Sequence, residues 1–157
     1  MRRGVIVIEM RVEVQHAAEF ATAVLDQTDC EQWLTALWRE LDVEHDRSVC
    51  VRICGDFESQ TLNATYRRIN KSTNVLSFPS EADVGEPVLG DIAICWPVVE
   101  REAQDQNKVL EQHAAHLVIH GVLHLMGYDH VDEGDAQEME AVEVAVLANL
   151  GIADPYV

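Results

Sequence analysis

A chain of 157 residues fits one domain around one core, and a hydrophobic share of 48% excludes a disordered polymer. No apolar run approaches the ~20 residues that span a bilayer. Eleven Lys and Arg against 28 Asp and Glu give a formal charge of −17, which excludes a general nucleic-acid coat protein but not a local basic cluster such as Arg67, Arg68 and Lys71.

Arg2 and Arg3 followed by Val5 to Ile8 begin like a secretory signal, but Glu9, Arg11 and Glu13 break the apolar stretch too early. The segment from Val5 to Val14 alternates apolar and polar residues instead and reads as a first strand of a cytoplasmic protein. Ala17 to Leu25 has a short helical pattern. Cys30 to Leu41 has a stronger one, with Trp33, Leu34, Leu37, Trp38 and Leu41 on one stripe. Ser48 to Cys54 reads as a second strand, and Asp56 as the cap of a helix through Leu62, Tyr66 and Ile69. Cys30, Cys50, Cys54 and Cys95 form no Cys-x-x-Cys pair, and a cytoplasmic setting makes them buried free thiols.

Asn74 to Phe78 predicts a short strand stopped by Pro79, and Ser80 to Pro87 an acidic loop. Gly90 to Trp96 predicts a further strand, and Pro97 the first turn of a helix ending near Gln106. Asn107 breaks the chain before a helix from Val109 to Met126, apolar nearly all round and therefore buried. Gly127 ends that helix as a left-handed cap, and Asp129 or Asp132 opens the last helix, with Met139, Val142, Val146 and Leu150 as its stripe. No repeat or linker divides the chain. The expectation is one α+β domain over residues 1–157, with a mixed sheet of about four strands packed against several helices.

Five of the seven histidines lie between positions 113 and 130. Residues four apart share a helix face, so His120 and His124 point the same way. Gly127 turns the chain, and His130 follows where it can return to the same ion. Three imidazoles leave a fourth position open, the usual mark of a catalytic rather than a structural zinc site; water held there reaches a pKa of about 7. The expected cofactor is one Zn2+ per chain on His120, His124, His130 and water, although three imidazoles also suit copper, nickel or cobalt. His116 reads as a partner behind the ligands or a core residue, and His113 as a surface residue. The spacing matches the long zinc-peptidase pattern His-x-x-x-His-x-x-Gly-x-x-His, but Gly121 stands where those enzymes carry a glutamate base. That weakens a peptidase or amidase reading and favours a hydrolase that works without that base.

Three blocks carry a resemblance to a known family: Leu62-Asn63-x-x-Tyr66-Arg67 with Thr73 to Pro79, Leu89-Gly90-Asp91-Ile92, and His120-Gly121-x-Leu123-His124-Leu125-x-Gly127-Tyr128-Asp129-His130. In this order and spacing they resemble the YbeY family of bacterial endoribonucleases. The resemblance covers Leu62 to His130; the segment before Thr73 departs from it, with Asn70 and Ser72 where Asp and Pro are frequent. It implies a zinc-dependent, single-strand-specific endoribonuclease in ribosomal RNA maturation, at the small-subunit 3′ end, and in ribosome quality control. It also implies a small-subunit ribosomal protein and a ribosome-associated GTPase as partners, and no membrane. The family's metal ligands fall on His120, His124 and His130, and its arginine on Arg67. Chemistry supports the last assignment, because a guanidinium can bind two oxygens of a phosphodiester as charge builds there. Arg68 and Lys71 are further candidate phosphate contacts, or a solvated helix face. Asn74 and Ser77 read as substrate contacts or strand-end packing, Tyr128 as a base-stacking or a buried ring, and Asp129 as a histidine orienter or a helix cap. The competing function is a ribosome-assembly adaptor whose metal mainly holds the fold.

Overall fold

Strand pairing sets the frame of the molecule. The computed structural model describes residues 10–20, 25–43, 47–80 and 88–157. The start of the first expected strand and the acidic loop lie outside these residues. The strands are β1 (Met10–His16), β2 (Arg47–Cys54), β3 (Val75–Pro79) and β4 (Val88–Cys95), in the spatial order β1-β2-β4-β3. β1 and β4 run parallel to β2, and β3 is antiparallel to β4. The sheet is therefore mixed, as expected, in an α+β domain.

The helices are α1 (Gln27–Leu41), α2 (Asp56–Arg67), α3 (Trp96–Asp105), α4 (Leu110–Leu125) and α5 (Glu133–Asn149). Alternation along the strands divides the interior. Val49, Val51, Ile53, Ile92 and Ile94 join the main core with residues of α1, α4 and α5. Cys54, Leu76 and Ala93 face the other way and form a small cluster with Leu62 and Phe78. α4 is buried on most of its surface because the sheet, α1, α3 and α5 all pack against it.

Several boundaries differ from the sequence reading for local reasons. α1 starts at Gln27 because Asp26 caps it, accepting the Asp29 N–H at 2.8 Å. Within the 17–25 stretch, a 3-10 turn at Ala18–Phe20 is the helical element among the described residues. Asp56 is the first residue of α2 rather than its cap, which is Gly55. That helix stops at Arg67, before Ile69, because Arg68 adopts a left-handed conformation with φ 58°. Asn63, buried, then holds the following loop: its carbonyl accepts the Ile69 N–H and its side-chain amide donates to the Lys71 carbonyl at 2.9 Å. Ser59 makes two further 3.0 Å hydrogen bonds to the Thr73 backbone. The loop leading into β3 is thus fixed by two polar side chains of α2.

Candidate metal centre

His120 and His124 sit one turn apart near the end of α4, and their Nε2 atoms face each other at 3.1 Å. The helix then closes in a Schellman motif: the Gly127 N–H donates to the His124 carbonyl and the Tyr128 N–H to the Leu123 carbonyl. Gly127 takes φ 96°, which glycine adopts without the penalty of a Cβ. The turn carries His130 back, so that its ring centroid lies 4.9 Å from that of His124 and 5.8 Å from that of His120. One donor atom from each of the three rings lies within 4.8 Å of the others. A tetrahedral ion with bonds of 2.0–2.1 Å needs nitrogens about 3.3 Å apart, so the His120–His124 pair is already close to that spacing. Burial, with His120 and His130 alongside, pushes the His124 pKa below its ordinary value and favours the lone-pair form a metal requires. The donor set fits a divalent ion that accepts nitrogen ligands.

The three histidines open onto a cavity of about 770 Å³. Its wall includes Arg67, Asn74, Ser77, Tyr128 and Asp129, but neither Arg68 nor Lys71, which are exposed on the loop after α2. Asn74 and Ser77 also serve the fold. Asn74 donates to Glu102 at 3.1 Å and accepts the Val75 N–H, while the Ser77 hydroxyl donates to the Gly121 carbonyl at 2.9 Å. Tyr128 is half-buried against the core. Asp129 neither caps α5 nor reaches a ring; it accepts the His130 N–H at 2.7 Å and steadies the turn. Asp132 is the cap of α5, accepting the Asp135 N–H at 2.8 Å.

Gly121 faces β3 and β4, where Val75 and Ser77 also belong to the cavity wall. A Cβ there would lie 3.0 Å from Val75 Cγ2 and 3.2 Å from Ile92 Cγ2. The position where a peptidase keeps its base is therefore a point where α4 lies close against the sheet.

Behind the cluster lies Glu143 of α5, fully buried, which sequence reasoning missed. Its carboxylate accepts from His120 Nδ1 at 2.8 Å, from the Tyr156 hydroxyl at 2.6 Å and from His116 Nε2. Burial alone would raise its pKa; the hydrogen bonds from His116, His120 and Tyr156 outweigh this and bring it down to about 2. The signal was a carboxylate in phase with the stripe of Met139, Val146 and Leu147. His113 corrects the sequence reading too: it is buried, bonded to Glu102 at 3.1 Å, and its pKa is lowered by burial.

The fold has a recognisable relative among solved structures. The chain is similar over 93% of its length to the solution structure of TM1509 from Thermotoga maritima, of which it covers 97%, with a TM-score of 0.59 and 25% sequence identity. A family model described as Endoribonuclease YbeY matches residues 11–151. Nearly the whole chain lies within that match, and it belongs to the YbeY endoribonuclease family.

Proposed function

We propose that this chain is a zinc-dependent, single-strand-specific endoribonuclease that matures the 3′ end of small-subunit ribosomal RNA and takes part in ribosome quality control. The observation that carries the reading is the convergence of three imidazoles and one guanidinium, Arg67, on a single cavity. In this reading His120, His124 and His130 are the ligands, and residues 1–157 belong to a single hydrolase domain. A bound zinc ion would supply Lewis acidity and lower the pKa of water.

The protein's own groups do the rest. Arg67 offers a planar pair of N–H donors to two phosphate oxygens, and its interaction strengthens as negative charge builds in the transition state. Arg68 and Lys71, on the loop beyond, meet phosphates further along the strand. Tyr128, at the cavity wall, is a candidate to stack an unpaired base. Gly121 disfavours the peptidase reading, since it carries no base and a Cβ there would already press on Val75 and Ile92. No described helix is long and apolar enough to cross a membrane. A cytoplasmic setting and docking on a small-subunit ribosomal protein and a ribosome-associated GTPase complete the proposal; the charge of −17 suits a basic ribosomal partner.

The test pairs elemental analysis of the purified protein with cleavage of single-stranded and duplex RNA. One zinc per chain is expected, with cleavage of the single strand only. His124→Ala abolishes both, and Arg67→Ala lowers kcat/KM by roughly 10²–10³ while zinc content is unchanged. Cleavage by the metal-free protein at the rate of the loaded one overturns the proposal.

A further inference from the structure

Glu143 has no place in the ligand set, yet it is the most enclosed charged side chain among the described residues, with none of its surface exposed. Burying a carboxylate costs several kcal/mol unless hydrogen bonds replace its water. The surrounding residues Met139, Val146 and Leu147 would accept an apolar side chain at that point of α5. A carboxylate at this buried point suits a task that an apolar residue cannot perform.

The geometry defines that task. An ionised carboxylate only accepts, so its Oε1, 2.8 Å from His120 Nδ1, requires the ring proton on Nδ1. The lone pair of His120 then lies on Nε2, the atom turned toward His124 Nε2. The other oxygen takes the Tyr156 hydroxyl and His116 Nε2, which fixes the plane of the carboxylate from the side away from the cavity. Tyr156 is carried by the segment after α5, and Lys108 ties that segment back through the Pro155 carbonyl at 3.2 Å. His116, His120 and Glu143 also bring donor atoms within 4.8 Å of one another. Their separations are those of hydrogen bonds in which protons fill the spaces, so this group supports a ligand rather than holding an ion.

We propose that Glu143 is the positioning residue of the metal centre: it fixes the tautomer and ring orientation of His120, and Tyr156 and His116 hold it in place. The proposal rests on the reading of His120, His124 and His130 as ligands, and carboxylates placed in this way on a ligand imidazole typically alter metal affinity 10–100-fold.

The experiment uses the full chain in two states. Zinc affinity is measured by competition with a chromophoric chelator, and the His120 tautomer in the metal-free protein by long-range ¹H–¹⁵N NMR. Glu143→Gln and Glu143→Asp are compared with wild type, folding being followed by circular dichroism. Wild type is expected to show the Nδ1–H form of His120. Glu143→Gln is expected to stay folded, lose 10–100-fold in zinc affinity and show a mixture of tautomers. Glu143→Asp, which draws the acceptor back by one methylene, is expected to lose less, and it carries the test if the Gln variant does not fold. A folded variant with zinc affinity within twofold of wild type and an unchanged His120 tautomer overturns the proposal. Should wild type bind no zinc while the tautomer still depends on Glu143, the metal reading fails and the positioning role stands.

Discussion

Gly90→Ala tests whether the motif Leu89-Gly90-Asp91 is structural. Gly90 sits in β4 opposite Pro79 of β3 and Val49 of β2, at the point where the β2–β4 register shifts. Its φ of 142° disfavours any residue with a Cβ, a penalty of about 1–2 kcal/mol. A Cβ would also stand 2.2 Å from the Phe78 carbonyl oxygen, 2.9 Å from the Ser80 nitrogen and 3.0 Å from Pro79 Cα. These are backbone atoms of the paired strand and cannot rotate away, so overpacking adds about 1–3 kcal/mol. The sum is about 2–5 kcal/mol, a large part of the roughly 5–15 kcal/mol that holds a typical domain. Urea denaturation should show the midpoint falling at constant slope. The strain falls on β3, which supplies Ser77 and Pro79 to the cavity wall, and not on α4, which carries His120 and His124. RNA cleavage should therefore drop more than zinc affinity. A loss below about 1 kcal/mol would refute the steric argument.

Asp132→Ala removes the cap of α5 and should cost about 1 kcal/mol, lowering Tm by roughly 2–4 °C; an unchanged Tm would show that the Asp135 N–H is served otherwise. Burial holds the Cys30 and Cys54 pKa values up at about 12, and Cys95 is buried as well, so at pH 8 Ellman's reagent should reach half-buried Cys50 first and the others only on unfolding. Equal rates for four thiols in the native protein would contradict the core packing. Zinc should tighten binding of single-stranded RNA at least tenfold, and RNA should tighten zinc by the same factor; calorimetry in both orders checks the equality.

Much of the fold was legible because it is local. Strand alternation gave β2 and β4, and the His120, Gly127, His130 spacing already contained a helix face, its stop and the returning turn. The features that escaped join distant parts of the chain. Glu143 meets His120 across 23 residues, Asn74 meets Glu102 across 28, and Ser77 meets Gly121 across 44. No periodicity encodes such pairs; what the sequence offered was a charged residue in an apolar stripe. Gly121 was read as a missing base, and the helix–sheet contact supplies a second reason for glycine there. His113 was assigned to the surface because nothing in the local pattern announced Glu102, the half-buried partner it meets from α3.

An acidic protein that acts on RNA poses an electrostatic problem that the cavity addresses locally. At physiological ionic strength charges are screened beyond about 8 Å, so most of the −17 is felt weakly inside the site. Histidines aside, the charged residues of the cavity wall among the described residues are Arg67 and Asp129, which cancel. The metal-free cavity therefore gives a phosphate little net attraction. A divalent ion on the three imidazoles would change the local balance to about +2, beside an arginine suited to phosphate. Under the proposed function, binding of RNA and binding of metal would then be one coupled equilibrium, and the acidic surface would sharpen it by weakening attachment elsewhere. Specificity for the site would come from that contrast, whereas a uniformly basic protein would hold RNA at every face.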